Sequence, residues 1–244
     1  MVVKRGHVVS KGYLRAWADA RNIVEVIDTQ DKRAYLTSIE NATVVSYAYD
    51  PAVLTRDLEG DYARIETDGI PVIRKLHEGQ ESLTYDEQRA MITFLDMHLE
   101  RGRYADQHKV LIPASLMLDG GVLKDAELNL GDRLLLAQSV RDIIRLAPLG
   151  LENRPWHVLH AHQLATGDGA VLLWASSTGA EICTVTFPLS PTRLLVIGDD
   201  LPERFLAVPV LNQMIAERSR RWLIGERGRL NLSFAEEGTT RPAR

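Results

Sequence analysis

The spacing of apolar residues predicts a helix and then a small sheet at the start of the chain. Tyr13, Leu14 and Trp17 recur at helical spacing within residues 10–20. The stretches that follow are rich in β-branched and aromatic residues and are separated by turn-forming residues, which is typical of two or three short antiparallel strands. Polar residues at 29–32 mark the hairpin turn between the first two strands.

In the middle of the chain, apolar residues recur with the period of amphipathic helices. One helix is predicted over about 52–67, and Gly69 and Pro71 are expected to interrupt it before the period resumes. A capping-box sequence at Thr84 opens a second helix. A third helix is expected over about 131–146.

Strand patterns return in the last third of the chain. Four apolar, β-branched segments lie between residues 156 and 198, and a helix at about 207–220 and a strand at 221–225 follow them. Strands and helices are segregated rather than alternating, so the predicted fold class is α+β. It consists of a small N-terminal antiparallel sheet, a helical middle, and a second antiparallel sheet with a closing helix.

Composition narrows the class of protein. The 244 residues are 45% hydrophobic and 25% charged, which excludes global disorder and leaves ample chain for a core. We expect a single α+β domain over residues 1–234, with a possible subdivision near residue 150, and a flexible tail over 235–244. The formal net charge of −4 does not favour a nucleic-acid partner, although a local basic patch leaves one possible.

Cysteine usage and hydropathy indicate the compartment. The single cysteine, Cys183, excludes an internal disulfide framework and any zinc site that needs several cysteines. It favours a reducing environment. The sequence has neither the apolar segment of a signal peptide nor an apolar run of membrane-spanning length. We therefore expect a cytoplasmic protein without a membrane partner.

Two segments in the last third contain residue types found in metal and ligand sites. His160 and His162 would share one face of a strand and could bind one metal ion, although a half-buried strand with a polar face explains the same pattern. Asp168 lies between Gly167 and Gly169, which would let a ligand approach the backbone. A simple Asp-Gly hairpin turn is the alternative interpretation.

Charged residues on the helices offer further candidates. Glu59 and Glu66 are seven residues apart, so both fall on one helix face, where two carboxylates could hold a divalent ion or act as acid and base. A solvated helix face is the alternative. Arg101 and Arg103 end the next helix, where cations suit the negative helix terminus.

The most basic segment lies near the C terminus, at 218–229. Arg220 and Arg221 precede Trp222, and arginines beside an aromatic residue could bind phosphates or stack on a base. A solvated helix end followed by an edge strand explains the same residues. The chain has no phosphate-binding loop, dinucleotide-binding glycine motif, nucleophile elbow or HExxH zinc motif.

Several motifs, taken in order, resemble a known bacterial family of unknown function, DUF4238. The stretch from His7 to Trp17, with Tyr-Leu-Arg at 13–15, is similar to its opening motif, although Ser10 stands where the family has Pro and Trp17 where it usually has Phe. The segments EGDYARIE, FLDMHLERGR, TGDGAV and TFPLSPTRLLVIG resemble its later motifs, and the likeness covers about residues 5–225. The family has no established activity. The resemblance implies a shared polar cluster, with these members: His7, Tyr13, Arg15, Glu59, Glu66, Arg103 and Asp168.

Three functions remain open on this basis. The first is a hydrolase for a phosphodiester or another anionic substrate, in which His7 acts as general acid or base and Arg15 binds the anion. Glu66 and Asp168 would then bind a divalent cation, which is a possible cofactor, or orient His7. This scheme requires the two ends of the chain to meet in one cleft.

The other two functions need no catalysis. The protein could be a binding module for a protein or nucleic-acid partner, in a phage, mobile-element or defence context, with Arg220 and Arg221 on its surface. Alternatively, His7, Tyr13 and Arg15 form a buried hydrogen-bonded network that fixes the N-terminal helix on the sheet. The sequence leaves the substrate, the metal and the partner unknown.

Overall fold

The computed structural model describes residues 5–46, 50–80, 82–139, 145–176, 179, 181–198 and 201–230. Within these ranges the α-helices are α1 Lys11–Leu14, α2 Leu58–His77, α3 Tyr85–Arg103, α4 Leu130–Ala137 and α5 Val208–Arg218. The strands are β1 Arg5–His7, β2 Ile23–Asp28, β3 Arg33–Ser38, β4 Val44–Ser46, β5 Ile112–Met117, β6 Leu123–Leu128, β7 Trp156–His160, β8 Thr166–Gly167, β9 Leu172–Ala175, β10 Ile182–Ser190, β11 Arg193–Ile197 and β12 Trp222–Gly225. The fold class is α+β, as predicted.

The N-terminal sheet includes the last strand of the described chain. Its strand order is β3-β2-β12-β8, and each pairing is antiparallel. The turn at 29–32 joins β2 to β3, which confirms the predicted hairpin. Because β12 lies between β2 and β8, the segment after α5 reaches the N-terminal sheet, and Trp222 pairs with Asp28.

The second sheet has the order β7-β11-β10-β9 and is also antiparallel. Its strands account for the four segments predicted between 156 and 198. One hydrophobic cluster contains residues of both four-stranded sheets and of the helices, including Leu14, Val24, Phe94 and Phe187. The single domain over residues 1–234 stays a prediction, which this shared core favours.

Helix α2 differs from the sequence prediction. The Asp57 side chain accepts the N–H of Gly60 at 3.0 Å and opens the helix, which continues through Gly69 and Pro71 without interruption. A Cβ on Gly69 would lie 2.7 Å from the Cβ of Phe94 on α3. Gly69 therefore allows close helix packing, and the expected interruption was wrong. The predicted capping box at Thr84 is present at the start of α3.

Two other regions of the structure differ from the sequence prediction. Helix α4 covers only the first half of the expected helix at 131–146, and residues 140–144 lie outside the described part of the chain. Strands β5 and β6 form a separate two-stranded hairpin that the sequence analysis missed. Its turn contains Asp119, Gly120 and Gly121, residues that favour hairpins. The expected tail at 235–244 also lies outside the described residues.

In the described part of the chain, no helix combines the length and the apolar character needed to span a bilayer.

Candidate functional site

His7 lies at the end of β1, beside charged side chains. Pairing of β1 with β4 places it opposite Val44, and its Nε2 lies 3.2 Å from the main-chain oxygen of Ile39. Burial lowers the pKa of His7, whereas the Glu66 carboxylate acts to raise it and the Lys11 ammonium acts to lower it. A neutral, half-buried imidazole close to a carboxylate can accept a proton.

Two glutamates of α2 form the acidic side of the same group. Glu59 and Glu66 share a helix face, as their spacing predicts. Arg101, on α3, donates from Nη1 to Oε1 of Glu66 at 2.5 Å, and its guanidinium lies 4.3 Å from the centre of the Tyr62 ring. We refer to His7, Glu59, Tyr62, Glu66 and Arg101 as the His7 cluster. Arg101 is only 4% exposed, so solvent weakens its ion pair little.

The Glu59 carboxyl group is the least satisfied member of the His7 cluster. Its Oε1 is buried and has no hydrogen-bond partner in the described part of the chain. Burial raises the pKa of Glu59; the positive charge of Arg101 opposes this shift, and the negative charges of Glu66 and Asp57 add to it. Since the pKa of His7 is lowered and that of Glu59 is raised, the cluster contains a base and an acid with converging proton affinities.

A second carboxylate network adjoins the cluster on α3. Glu100 accepts the Tyr62 hydroxyl at 3.3 Å, the Arg145 Nη1 at 3.0 Å and the Gln138 amide at 3.3 Å. These bonds tie α2, α3 and the segment after α4 together. They hold Tyr62 at the position from which its ring meets Arg101.

The sequence did not indicate a site role for Tyr62, and it accounted for Arg101 only by its place at the helix terminus. Tyr62 lies three residues after Glu59 and four before Glu66, so helical spacing alone would place it on the same face. No comparable signal exists for Arg101. Its partner Glu66 is 35 residues away, and the helix terminus already accounts for a cation at that position.

Three other candidates, Arg103, Asp168 and Arg220, line a cavity of about 990 Å³. Residues two apart in a helix point about 200° away from each other. The last turn of α3 therefore directs Arg101 to the His7 cluster and Arg103 to the cavity. Three more arginines also line it, at positions 145, 154 and 218, and we call it the arginine cavity.

Asp168 is bonded to the wall of the arginine cavity. Its buried carboxylate accepts the main-chain N–H groups of Arg220 at 2.7 Å, Arg221 at 3.2 Å and Trp222 at 2.6 Å. Burial raises the pKa of Asp168 to about 7, and the three N–H donors act in the opposite direction.

The expected partnership of Asp168 with the His7 cluster does not form. No hydrogen bond or ion pair joins Asp168 to His7 or Glu66 within the described residues. Asp168 instead fixes the start of β12 against the segment that contains β8, because its two oxygens are used by main-chain donors. The structure thus brings Glu66 within electrostatic range of both His7 and Glu59, and it places Asp168 with another group.

Tyr13 has a structural role in the core. Its hydroxyl donates to the carbonyl of Pro188 at 2.6 Å and contacts Oγ1 of Thr166 at 2.7 Å, and its ring stacks on Phe187. Arg15, by contrast, is exposed, and its side chain bonds to no residue that the structure describes. The predicted buried network of His7, Tyr13 and Arg15 is therefore wrong for Arg15.

The two C-terminal candidates differ in how freely they can bind a ligand. Arg221 donates from Nε to Asp28 at 3.0 Å, lies 2.9 Å from His108 through Nη1, and covers the ring of Trp222 at 4.6 Å. These contacts occupy its guanidinium. The side chain of Arg220 is 41% exposed, and Asp106, the carboxylate with which it forms an ion pair, is 3.9 Å away.

The histidine pattern does not form a metal centre. His160 ends β7, His162 lies beyond the strand, and the His160 Nε2 is 2.9 Å from Arg193 Nη1. Within the residues described by the structure, no three His, Cys, Asp or Glu side chains are grouped so that they could hold a metal ion.

Comparison with known proteins identifies the family. The model of a family described as a protein of unknown function, DUF4238, matches residues 5–229. The chain belongs to the DUF4238 family. No curated protein and no solved structure matches it. The His7 cluster and the arginine cavity of this DUF4238 protein both lie within the matched residues.

Proposed function

We propose that this DUF4238 protein is a hydrolase-like enzyme that acts on a phosphodiester or another anionic substrate at the His7 cluster. One observation carries the proposal: Glu66 lies within electrostatic range of both an imidazole whose pKa is lowered and a carboxyl group whose pKa is raised. Titratable groups whose environments shift them in this way are characteristic of acid–base sites.

Each of the three side chains has a role in this scheme. Neutral His7 takes a proton from an attacking water as the water oxygen bonds to phosphorus. The Glu59 carboxyl group, whose raised pKa favours the protonated form, gives its proton to the leaving oxygen as the bond from that oxygen to phosphorus breaks. Glu66 stabilises the positive charge that His7 acquires, and Arg101 keeps Glu66 in place. One proton is gained and one is given up, so the step balances.

Cations near His7 would bind the substrate. Lys11 is close enough to influence the pKa of His7, and Arg15 follows it by one helical turn at the end of α1. Residues four apart project from the same side of a helix. The planar donors of the exposed Arg15 guanidinium suit phosphate oxygens.

Other uses of these residues are less well supported. A divalent cation at Glu59 and Glu66 is an alternative, but Arg101 already neutralises Glu66, which favours the acid–base scheme. Asp168 has no role in the scheme because main-chain donors occupy its carboxylate. The single cysteine supports a cytoplasmic location for the activity.

A non-catalytic binding module is the second candidate function. The arginine cavity favours it, because the cavity provides positive charge away from the His7 cluster. Nucleic acid or a protein partner would then contact exposed arginines such as Arg220.

The test of the hydrolase uses bis(4-nitrophenyl) phosphate, a general phosphodiester, with release of 4-nitrophenolate as the readout near neutral pH. His7→Gln retains an N–H that can donate to Ile39, and Glu59→Gln removes only the acid. Each variant is expected to lower the rate by about 100-fold or more. His157→Gln and Glu127→Gln, on exposed positions of β7 and β6, serve as matched controls.

Thermal melts of all four variants separate loss of folding from loss of chemistry. The proposal holds if His7→Gln and Glu59→Gln melt like the controls and lose activity. Full activity in either variant would remove the acid–base assignment, and an inactive wild-type protein would remove the phosphodiester as substrate.

A further inference from the structure

We infer that the arginine cavity is a binding site for a small phosphorylated molecule with an apolar or aromatic body, of the size of a nucleotide. This site is separate from the His7 cluster, since the two face opposite sides of the last turn of α3. The inference therefore does not depend on the proposed hydrolase.

The cavity has more positive than negative charge. The side chains of Arg103 and Arg218 have no hydrogen-bond or ion-pair partner among the described residues, and both residues line the cavity. Arg154 donates to the carbonyls of Ile182 at 3.1 Å and Cys183 at 2.5 Å, which leave its charge uncompensated. Like charges gathered around one cavity repel each other unless an anion joins them.

The nearby carboxylates neutralise only some of these arginines. Arg145 is paired with Glu100 at 3.0 Å, and Arg220 lies 3.9 Å from Asp106. Asp168 accepts main-chain N–H groups. Glu181, also on the cavity wall, is exposed and pairs with no arginine in the described part of the chain. The guanidinium groups of Arg103 and Arg218 are thus available to a ligand, and the planar donors of arginine match phosphate oxygens.

Close backbone packing fixes the arginines relative to one another. A Cβ on Gly102 would lie 2.0 Å from the carbonyl oxygen of Asp168, and a Cβ on Gly169 would lie 2.3 Å from the main-chain nitrogen of Ser219. The end of α3, the turn at 168–169 and the end of α5 are therefore in direct backbone contact. The backbone that bears the arginines is thus already ordered, so that only their side chains lose conformational entropy when a ligand arrives.

The apolar lining residues indicate the rest of the ligand. They are Leu99, Pro148, Leu149, Val171, Leu173 and Ile182. A cavity of about 990 Å³ is at the upper end of the range for small-molecule sites. A ligand that combines phosphate with an apolar or aromatic group would match both the arginines and the apolar residues of the lining.

The test measures binding by isothermal titration calorimetry with ADP, pyrophosphate and adenosine as separate probes. ADP is expected to bind tightest, because it combines phosphates with an aromatic base, and its affinity should fall as salt rises. Arg103→Gln and Arg218→Gln should each weaken ADP binding by about ten-fold or more. Arg74→Gln should have no effect, because Arg74 is an exposed arginine on α2 whose side chain has no partner among the residues that the structure describes.

Two further measurements keep the inference distinct from the hydrolase. His7→Gln should bind ADP like the wild-type protein, whatever its effect on hydrolysis, and thermal melts should show each arginine variant folded. No binding of ADP or pyrophosphate would overturn the inference, as would equal losses in the Arg74 control. Tighter binding of a single-stranded oligonucleotide than of ADP would also overturn it, in favour of a nucleic-acid surface.

Discussion

His98 gives the sharpest test of the structure, because it is a buried histidine that the fold keeps uncharged. It lies on α3 with only 2% of its surface exposed, and its Nε2 is 2.9 Å from the carbonyl of Gly167. The rings of Tyr13 and Phe187 meet it edge-on, at centroid distances of 5.8 and 5.4 Å. A neutral ring that donates to Gly167 fits this pocket, whereas protonation would add a charge and a second N–H among aromatic rings.

The magnitude follows from the pKa of His98. Burial, together with the nearby charge of Arg101, lowers that pKa from 6.5 to about 4, and the hydrogen bond to Gly167 opposes the shift. Below pH 6.5 the unfolded chain binds a proton at this histidine, and the folded protein does not bind one until about pH 4. Stability is therefore complete above the unfolded pKa and is lost as the pH falls through this window. The loss amounts to about 3 kcal/mol in the free energy of unfolding.

The assay is urea unfolding of the wild-type protein and of His98→Gln at a series of pH values between 4 and 7.5. Glutamine can donate to Gly167 from a similar position but does not titrate. Other acidic groups titrate in both proteins, so they cancel in the difference between the two stabilities. As the pH falls to 4, the wild-type protein should lose about 3 kcal/mol more of its free energy of unfolding than His98→Gln loses.

Parallel pH profiles for the two proteins would refute the reasoning. They would mean that His98 is protonated in the folded state as readily as in the unfolded state. The ring would then lack the enclosure that the structure shows. A histidine resonance that titrates near the ordinary value in an NMR experiment on the wild-type protein would lead to the same conclusion.

Two further predictions test how the candidate residues are held. Gly102→Ala should lower the free energy of unfolding by about 2 kcal/mol, because the added Cβ would meet the Asp168 carbonyl. Chemical denaturation measures this change. The gain in stability that is usual for Gly→Ala in a helix would contradict the close contact. Tyr13→Phe should cost about 1–2 kcal/mol, because the Pro188 carbonyl loses its donor, while the exposed control Tyr85→Phe should leave the urea midpoint unchanged. Equal midpoints for the two tyrosine variants would mean that the hydroxyl of Tyr13 does not form the bond.

Local sequence patterns gave correct predictions where the structure depends on residues that are close together in the chain. The turn at 29–32, the capping box at Thr84 and the shared face of Glu59 and Glu66 each depend on residues within one or two turns of backbone. Gly69 shows the limit of this reasoning. Its sequence signal is that of a break, and only the approach of Phe94 shows that the missing Cβ serves helix packing.

The order of motifs, the α+β class and membership of the DUF4238 family could be determined from the sequence alone, because they depend on periodicity and on the succession of residue types. The two polar groups were decided by the tertiary structure. Arg101 meets Glu66 across 35 residues, and Asp168 meets Trp222 across 54. Contacts at such separations depend on how whole helices and strands pack, and no local spacing encodes them.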